Sequence, residues 1–194
     1  MQLALVQYNA GNLSSVVNAL NRLGVEPLVT DDAEQLRAAD KVIFPGQGHA
    51  GTAMAYLRQR GLDAVLRSLH QPFLGICLGQ QLMCLHSEEE DTECLGLIPL
   101  QVKRFPPDEK VPHMGWNTLT DLKGPLYTGV PEGSHVYFVH SYYAEHHPDY
   151  TAATCHYMLP FSASVQYQNY YAVQYHPEKS GPLGSRILEN FLRL

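Results

Sequence analysis

Charge is scarce in this chain: charged side chains make up 16% of its 194 residues, against roughly 25% in an average globular protein. Basic residues are the scarcer sign, 13 against 19 acidic, for a formal net charge of −6 at pH 7. That excludes a nucleic-acid binder working by bulk positive charge. No apolar run approaches the roughly 18 residues of a membrane span, and the first basic residue is Arg22, so no positively charged leader is expected. Four cysteines, Cys77, Cys84, Cys94 and Cys155, form no CxxC pair; they are expected as thiols in a reducing, cytoplasmic setting rather than as bridges. No thiol or histidine pair has metal-ligand spacing, so neither a metal nor a cofactor is expected.

What is present suits a folded domain. Hydrophobic residues make up 45%, and a chain of this length buries roughly 70% of its unfolded surface. The length fits one domain over residues 1–194. Twelve tyrosines, most of them after residue 125, suggest a β-rich C-terminal half or a contact surface.

The first half alternates strands and helices. Gln2 to Val6 reads as a strand, Asn9 to Asn12 as a loop ending in an N-cap at Asn12, and Leu13, Val16, Val17, Leu20 and Leu23 as a helix stopped by Gly24. Strands are expected at Val25 to Val29, Val42 to Phe44 and Phe73 to Ile76, with helices over Asp31 to Ala39 and around Leu62 to Leu69. This order implies an α/β fold with a mostly parallel central sheet covered on both faces, in which ligands sit at the carboxyl ends of strands. After about residue 97, strands are expected at Leu100 to Arg104, Trp116 to Leu119, Val136 to Tyr143, Thr151 to Tyr157, Ala163 to Tyr167 and Tyr171 to Tyr175. A helix follows from Gly184. The acidic run Glu88 to Glu93 reads equally as a solvated loop or as the source of one ligand acid.

Three segments can carry chemistry. Gly75-Ile76-Cys77-Leu78-Gly79, an apolar strand running into a helical segment, is a nucleophile elbow with sulfur in place of a hydroxyl. Glycines two residues to either side relieve crowding around the strained nucleophile, and the amides opening the helix favour a thiolate. A buried structural cysteine in a strand-to-helix turn is the competing reading. Cys84, further along the helix, reads as core. Gln174-Tyr175-His176-Pro177-Glu178 ends the last strand; in an extended segment i and i+2 share a side, so Glu178 can hydrogen-bond His176 and fix its tautomer for work as a base. Pro45-Gly46-Gln47-Gly48 can aim a backbone N–H at a developing negative charge and, with the Leu78 N–H, build an oxyanion hole. A simple chain turn competes with that reading, and the missing Lys-Ser/Thr disfavours a P-loop.

Together the three segments resemble the class I, triad-type glutamine amidotransferases over nearly the whole chain. Asn9 to Val16, Val111-Pro112-His113-Met114-Gly115-Trp116-Asn117 and Phe138 to Tyr143 are similar to the glutaminase branch that serves imidazole glycerol phosphate synthase. The resemblance implies a flavodoxin-like amidotransferase fold with antiparallel strands added in the C-terminal half. It implies that Cys77 attacks the side-chain amide of glutamine, that His176 carries the proton to ammonia, and that Glu178 orients His176. It puts Gln47, Gly48 and Leu78 at the oxyanion hole, and Gly46, Gln81, Glu89 and Ser141 around the glutamine. Asn12, Met114, Trp116 and Lys179 would face a (β/α)8-barrel cyclase, to which ammonia passes for histidine biosynthesis. Trp116 stands either at that contact or in the core. Gln7 replaces a usually acidic residue and Gln47 a usual valine, which puts contacts at both positions in question. Two other readings stay open: a cysteine hydrolase of the same fold acting on another amide, and a binding module without activity.

Overall fold

A computed structural model of the chain describes residues 1–9 and 13–194. The expected N-cap at Asn12 lies outside the described residues. In chain order, the first half runs β1 (Leu3–Val6), α1 (Leu13–Arg22), β2 (Leu28–Thr30), α2 (Ala33–Ala38), β3 (Lys41–Phe44), α3 (Ala50–Gln59), α4 (Leu62–Arg67), β4 (Phe73–Ile76) and α5 (Leu78–Met83). The rest is mainly strands: β5 (His86–Ser87), β6 (Thr92–Glu93), β7 (Gln101–Arg104), β8 (His113–Thr118), β9 (His135–His140), β10 (Tyr142–Ala144), β11 (Thr151–Tyr157), β12 (Leu159–Tyr167) and β13 (Tyr170–Val173). Helix α6 (Gly181–Leu192) closes the chain.

Among the described residues the main sheet has seven strands in the order β11-β12-β13-β4-β3-β1-β2. From β13 through β2 all neighbours are parallel, and β12 and β11 extend the sheet antiparallel. The α/β class, the mostly parallel sheet and the added antiparallel strands are therefore as expected. Alternation along each strand divides the core in two. Leu3, Leu5, Ile43, Leu74 and Ile76 pack with Val16, Leu20, Ile187 and Phe191 on one face. Ala4, Val6, Phe44 and Phe73 pack with Leu36, Met54, Leu57 and Leu66 on the other. Both faces being covered explains why these strands read as continuous apolar runs.

The differences have local causes. Strand β2 starts at Leu28 rather than Val25, after Pro27, which has no amide to give a ladder. Helix α2 is capped by Asp32, whose Oδ1 accepts the Gln35 amide at 2.8 Å. Not anticipated is α3, although its buried residues Ala50, Ala53, Met54 and Leu57 fall at helical spacing; three small or flexible side chains in four make a faint stripe. The expected strand Val136–Tyr143 is two strands broken at Ser141: β9 pairs with β8, and β10 leaves to pair with β7 in a four-stranded sheet. No helix among the described residues is long and apolar enough to cross a membrane.

Candidate active site

The elbow follows β4, between β3 and β13 at the middle of the sheet. Cys77 has φ 54° and ψ −110°, a conformation that L-residues adopt only under constraint. Its surroundings explain the constraint. A Cβ on Gly79 would overlap the Phe44 carbonyl, and one on Gly75 would lie 2.9 Å from the Gln80 amide. Only glycine lets β3, β4 and α5 approach this closely, so the glycine spacing belongs to the packing of the turn. The Cys77 amide is tied to the Val173 carbonyl at 2.8 Å, and the residue is buried.

His176 comes from the adjacent chain segment past β13. The last strand ends at Val173, and Pro177–Lys179 form a 3-10 turn, so Glu178 reaches His176 from a turn rather than along an extended strand. The contact is made all the same: Glu178 Oε1 lies 2.7 Å from His176 Nδ1, with both side chains buried. The turn is locked onto β9. His176 N–H donates to the Tyr137 carbonyl at 2.9 Å, and the Ser180 hydroxyl accepts the Tyr137 amide at 3.0 Å while donating to the His176 carbonyl at 2.7 Å. His176 Nε2 has no hydrogen-bond partner meeting ordinary geometry among the described residues. Burial pulls this imidazole toward neutrality, but the charge of the nearby Cys77 sulfur and Glu178 outweigh burial and hold its pKa up at about 10. Glu178 on one side and the Cys77 sulfur on the other thus favour the protonated ring of His176. Burial pushes the thiols of Cys84, Cys94 and Cys155 up, Cys84 far up and the other two to about 12.

A cleft of about 530 Å³ opens over this pair. Gln47 and Gly48 line it beside Cys77, Leu78 and His176; Gln81, Glu89 and Ser141 also stand on its wall. The loop is not open as an oxyanion hole. The Leu78 N–H donates to the Gly46 carbonyl at 3.3 Å, and in a trans peptide a carbonyl turned toward Leu78 turns the Gln47 N–H away. Gly46 is buried behind the cleft, with the Tyr8 hydroxyl packed against it. That hydroxyl has no hydrogen-bond partner among the described residues; burial first, and then the charge at Cys77, push its pKa well up. Two acids of the Glu88–Glu93 run also brace the scaffold: Glu89 Oε2 accepts the Ala50 amide at 2.7 Å at the start of α3, and Glu88 accepts the Arg104 amide at 2.7 Å.

Strand alternation puts Met114 and Trp116 on one face of the β8–β9 hairpin, opposite Val139 and Tyr137. Met114 is 59% and Trp116 57% exposed, so Trp116 is not core. Val139, Tyr137 and the exposed Lys179 also line the cleft, which makes the apolar face and the cleft mouth continuous. On the other face, Asn117, His113 and His140 form a chain that sequence reasoning missed. The Tyr142 carbonyl can only accept, so His140 Nδ1, 2.7 Å away, carries the proton. His140 Nε2 then accepts from His113 Nδ1 at 2.9 Å, and His113 Nε2 accepts from Asn117 Nδ2 at 3.2 Å. Burial holds both rings neutral, lowering His113 to about 4 and His140 to about 3.

The family model for class-I glutamine amidotransferases matches residues 4–194. The chain belongs to the class I glutamine amidotransferases. Among amidotransferase relatives, imidazole glycerol phosphate synthase subunit HisH of Bacteroides fragilis is 55% identical over all of both chains. The protein of that name from Idiomarina loihiensis is 46% identical over 100% of this chain and 98% of its own. A solved glutamine amidotransferase superposes with a TM-score of 0.76 at 21% identity, over 98% of this chain and 97% of its own, a likeness of fold. The chain is accordingly a glutamine-hydrolysing enzyme of the amidotransferase family.

Proposed function

We propose that the chain is the glutaminase subunit of an imidazole glycerol phosphate synthase, acting in the cytoplasm on glutamine. The observation that carries this reading is His176, held by Glu178 at 2.7 Å with its Nε2 unclaimed and charge-coupled to Cys77 at the elbow. A thiolate on Cys77 attacks the glutamine carboxamide carbon, and the carbonyl π electrons move to oxygen. Collapse of that oxyanion expels ammonia with a proton from His176 Nε2 and leaves a γ-glutamyl thioester. Neutral His176 then takes a proton from water as it attacks the thioester, and the returning imidazolium pairs with the departing thiolate while glutamate leaves.

The developing oxyanion needs donors. Rotation of the Gly46–Gln47 peptide, about ψ of Gly46 and φ of Gln47, would release the Leu78 amide and turn the Gln47 N–H inward beside Gly48. Gln81, Glu89 and Ser141 are placed to hold the glutamine, and Gly46 acts through its peptide rather than by contact. Met114, Trp116 and Lys179 form the docking face for a barrel cyclase; Asn12, expected with them, lies outside the described residues. The apolar, aromatic character of this face suits a buried contact, and its continuity with the cleft mouth lets ammonia pass to the partner, there to form imidazole glycerol phosphate and an aminoimidazole carboxamide ribotide.

The test is glutamate release from glutamine by the purified chain, alone and with the barrel cyclase carrying its nucleotide. A strong rise on adding the partner is the expected result. High activity alone with no rise would make the chain a free-standing amidase, and faster turnover of another γ-glutamyl amide at equal concentration would reassign its substrate.

A further inference from the structure

Gln174 is a fully buried polar side chain one residue past β13, among the apolar neighbours Val173 and Tyr175. Its backbone amide is pinned to the Ala163 carbonyl at 2.8 Å, so the side chain leaves the sheet at a defined point. Its Nε2 lies 3.6 Å from Cys77 Sγ.

Which end of that amide meets the sulfur follows from its neighbours. Gln81 Nε2 lies 2.9 Å from the Tyr142 carbonyl, which can only accept, so this end of Gln81 is its NH2 group. The second proton of the same nitrogen goes to Gln174, 2.9 Å away. Gln174 must therefore turn its oxygen to Gln81 and its NH2 to Cys77. Both Gln81 protons are used in this way, and Gln81 keeps only its Oε1 for the cleft.

We propose that Gln174 is a catalytic residue of this site, a neutral donor to Cys77 Sγ whose amide is locked in the donating orientation by Gln81. The inference rests on Cys77 being the nucleophile. Hydrogen bonding to an ionised sulfur favours the ionised form. His176 cannot supply that bond throughout, since its Nε2 proton goes to the leaving ammonia. Gln174 has no proton to lose, so it still faces the sulfur when the thiolate departs from the thioester. Gln81 is a positioning residue in this respect, acting on the sulfur through Gln174.

The test is the second-order rate of Cys77 alkylation by iodoacetamide on the full chain without glutamine, with the modified site identified by peptide mass. Displacement of iodide needs the thiolate and neither an oxyanion hole nor the natural substrate. Gln174→Met, of similar length with no donor, is expected to react about tenfold more slowly, the usual scale for one hydrogen bond to a charged group, with its thermal midpoint near wild type. Gln81→Met frees the Gln174 amide to turn and is expected to fall between the two. If Gln174→Met alone does not fold, Gln81→Met/Gln174→Met removes both amides together, and it is expected to match the slow rate rather than exceed its loss. A wild-type alkylation rate in whichever of these two variants folds overturns the proposal. Failure of the glutaminase reading would show separately, as no glutamate from the wild-type chain together with the barrel cyclase and its nucleotide, and leaves the alkylation comparison intact.

Discussion

The Gly46 carbonyl accepts the Leu78 amide at 3.3 Å, so a donor that a tetrahedral intermediate needs is already engaged. Cys77, His176 and Glu178, the proposed nucleophile, base and orienting acid, are assembled while the loop proposed to stabilise the developing charge is closed. One oxyanion donor is worth about 10²–10³ in rate. An aldehyde analogue of glutamine, whose adduct with Cys77 carries the oxyanion, is expected to bind the isolated chain about 10²–10³ times more weakly than the chain with its partner and nucleotide. Equal inhibition constants would show that the loop is not what the partner changes.

Glu178 Oε1 sits 2.7 Å from His176 Nδ1 with both side chains buried. Glu178→Gln keeps an acceptor of the same shape and removes the charge that favours imidazolium. Its kcat for glutamine is expected to fall by about 10⁴, the scale known for neutralising the orienting acid of a triad, with KM changed little. A loss confined to KM would place Glu178 in substrate binding instead.

Tyr8 packs against Phe44, the ring centroids 5.0 Å apart and the planes tilted, with a buried hydroxyl that has no partner among the described residues. An unsatisfied buried hydroxyl costs stability, so Tyr8→Phe is expected to raise the unfolding free energy by about 1 kcal/mol in urea titration. A loss of the same size would reveal a bond that Tyr8 makes in solution.

The buried pair His113 and His140, held neutral with pKa values of about 4 and about 3, gives stability an acid limb. Unfolded histidine titrates near 6.5. Between that value and about 4, the unfolded chain binds protons that the folded chain refuses, so stability falls as pH drops through this window, by up to about 1.4 kcal/mol per pH unit for each ring. His176, raised to about 10, has the opposite sign: its contribution is complete below about 6.5 and fades as pH rises toward 10. The loss of stability from pH 7 to pH 5 is expected to be about 2 kcal/mol smaller in His113→Phe than in the wild type. Equal losses in the two proteins would show that His113 titrates normally in the fold.

The parts of the site legible in the sequence are those whose cause is local. Gly75 and Gly79 stand where they do because the turn at Cys77 brings the Phe44 and Gln80 backbones against them, and a two-residue step was enough to pair His176 with Glu178. The hydrophobic pattern likewise revealed the parallel strands, because burial on both faces leaves uninterrupted apolar runs. What stayed hidden depends on residues distant in the chain. Gln174 meets Cys77 and Gln81 across β13, β4 and α5, and its only trace in the sequence is a glutamine inside an apolar stretch. His113 and His140 meet through the register of β8 and β9, which the two strands show only once paired. The closed state of the Gly46–Gln47 peptide leaves no trace in the sequence, because a glycine-rich loop permits either orientation.

The central claim is that Cys77 carries the glutamyl group, and it is tested most directly by glutamate release from glutamine in the partner-stimulated complex, wild type against Cys77→Ala at equal concentration. A loss of about 10⁴-fold or more is predicted, as for removal of other covalent nucleophiles. Glutamate release by Cys77→Ala near the wild-type rate would contradict the account and move the chemistry to another group in the cleft.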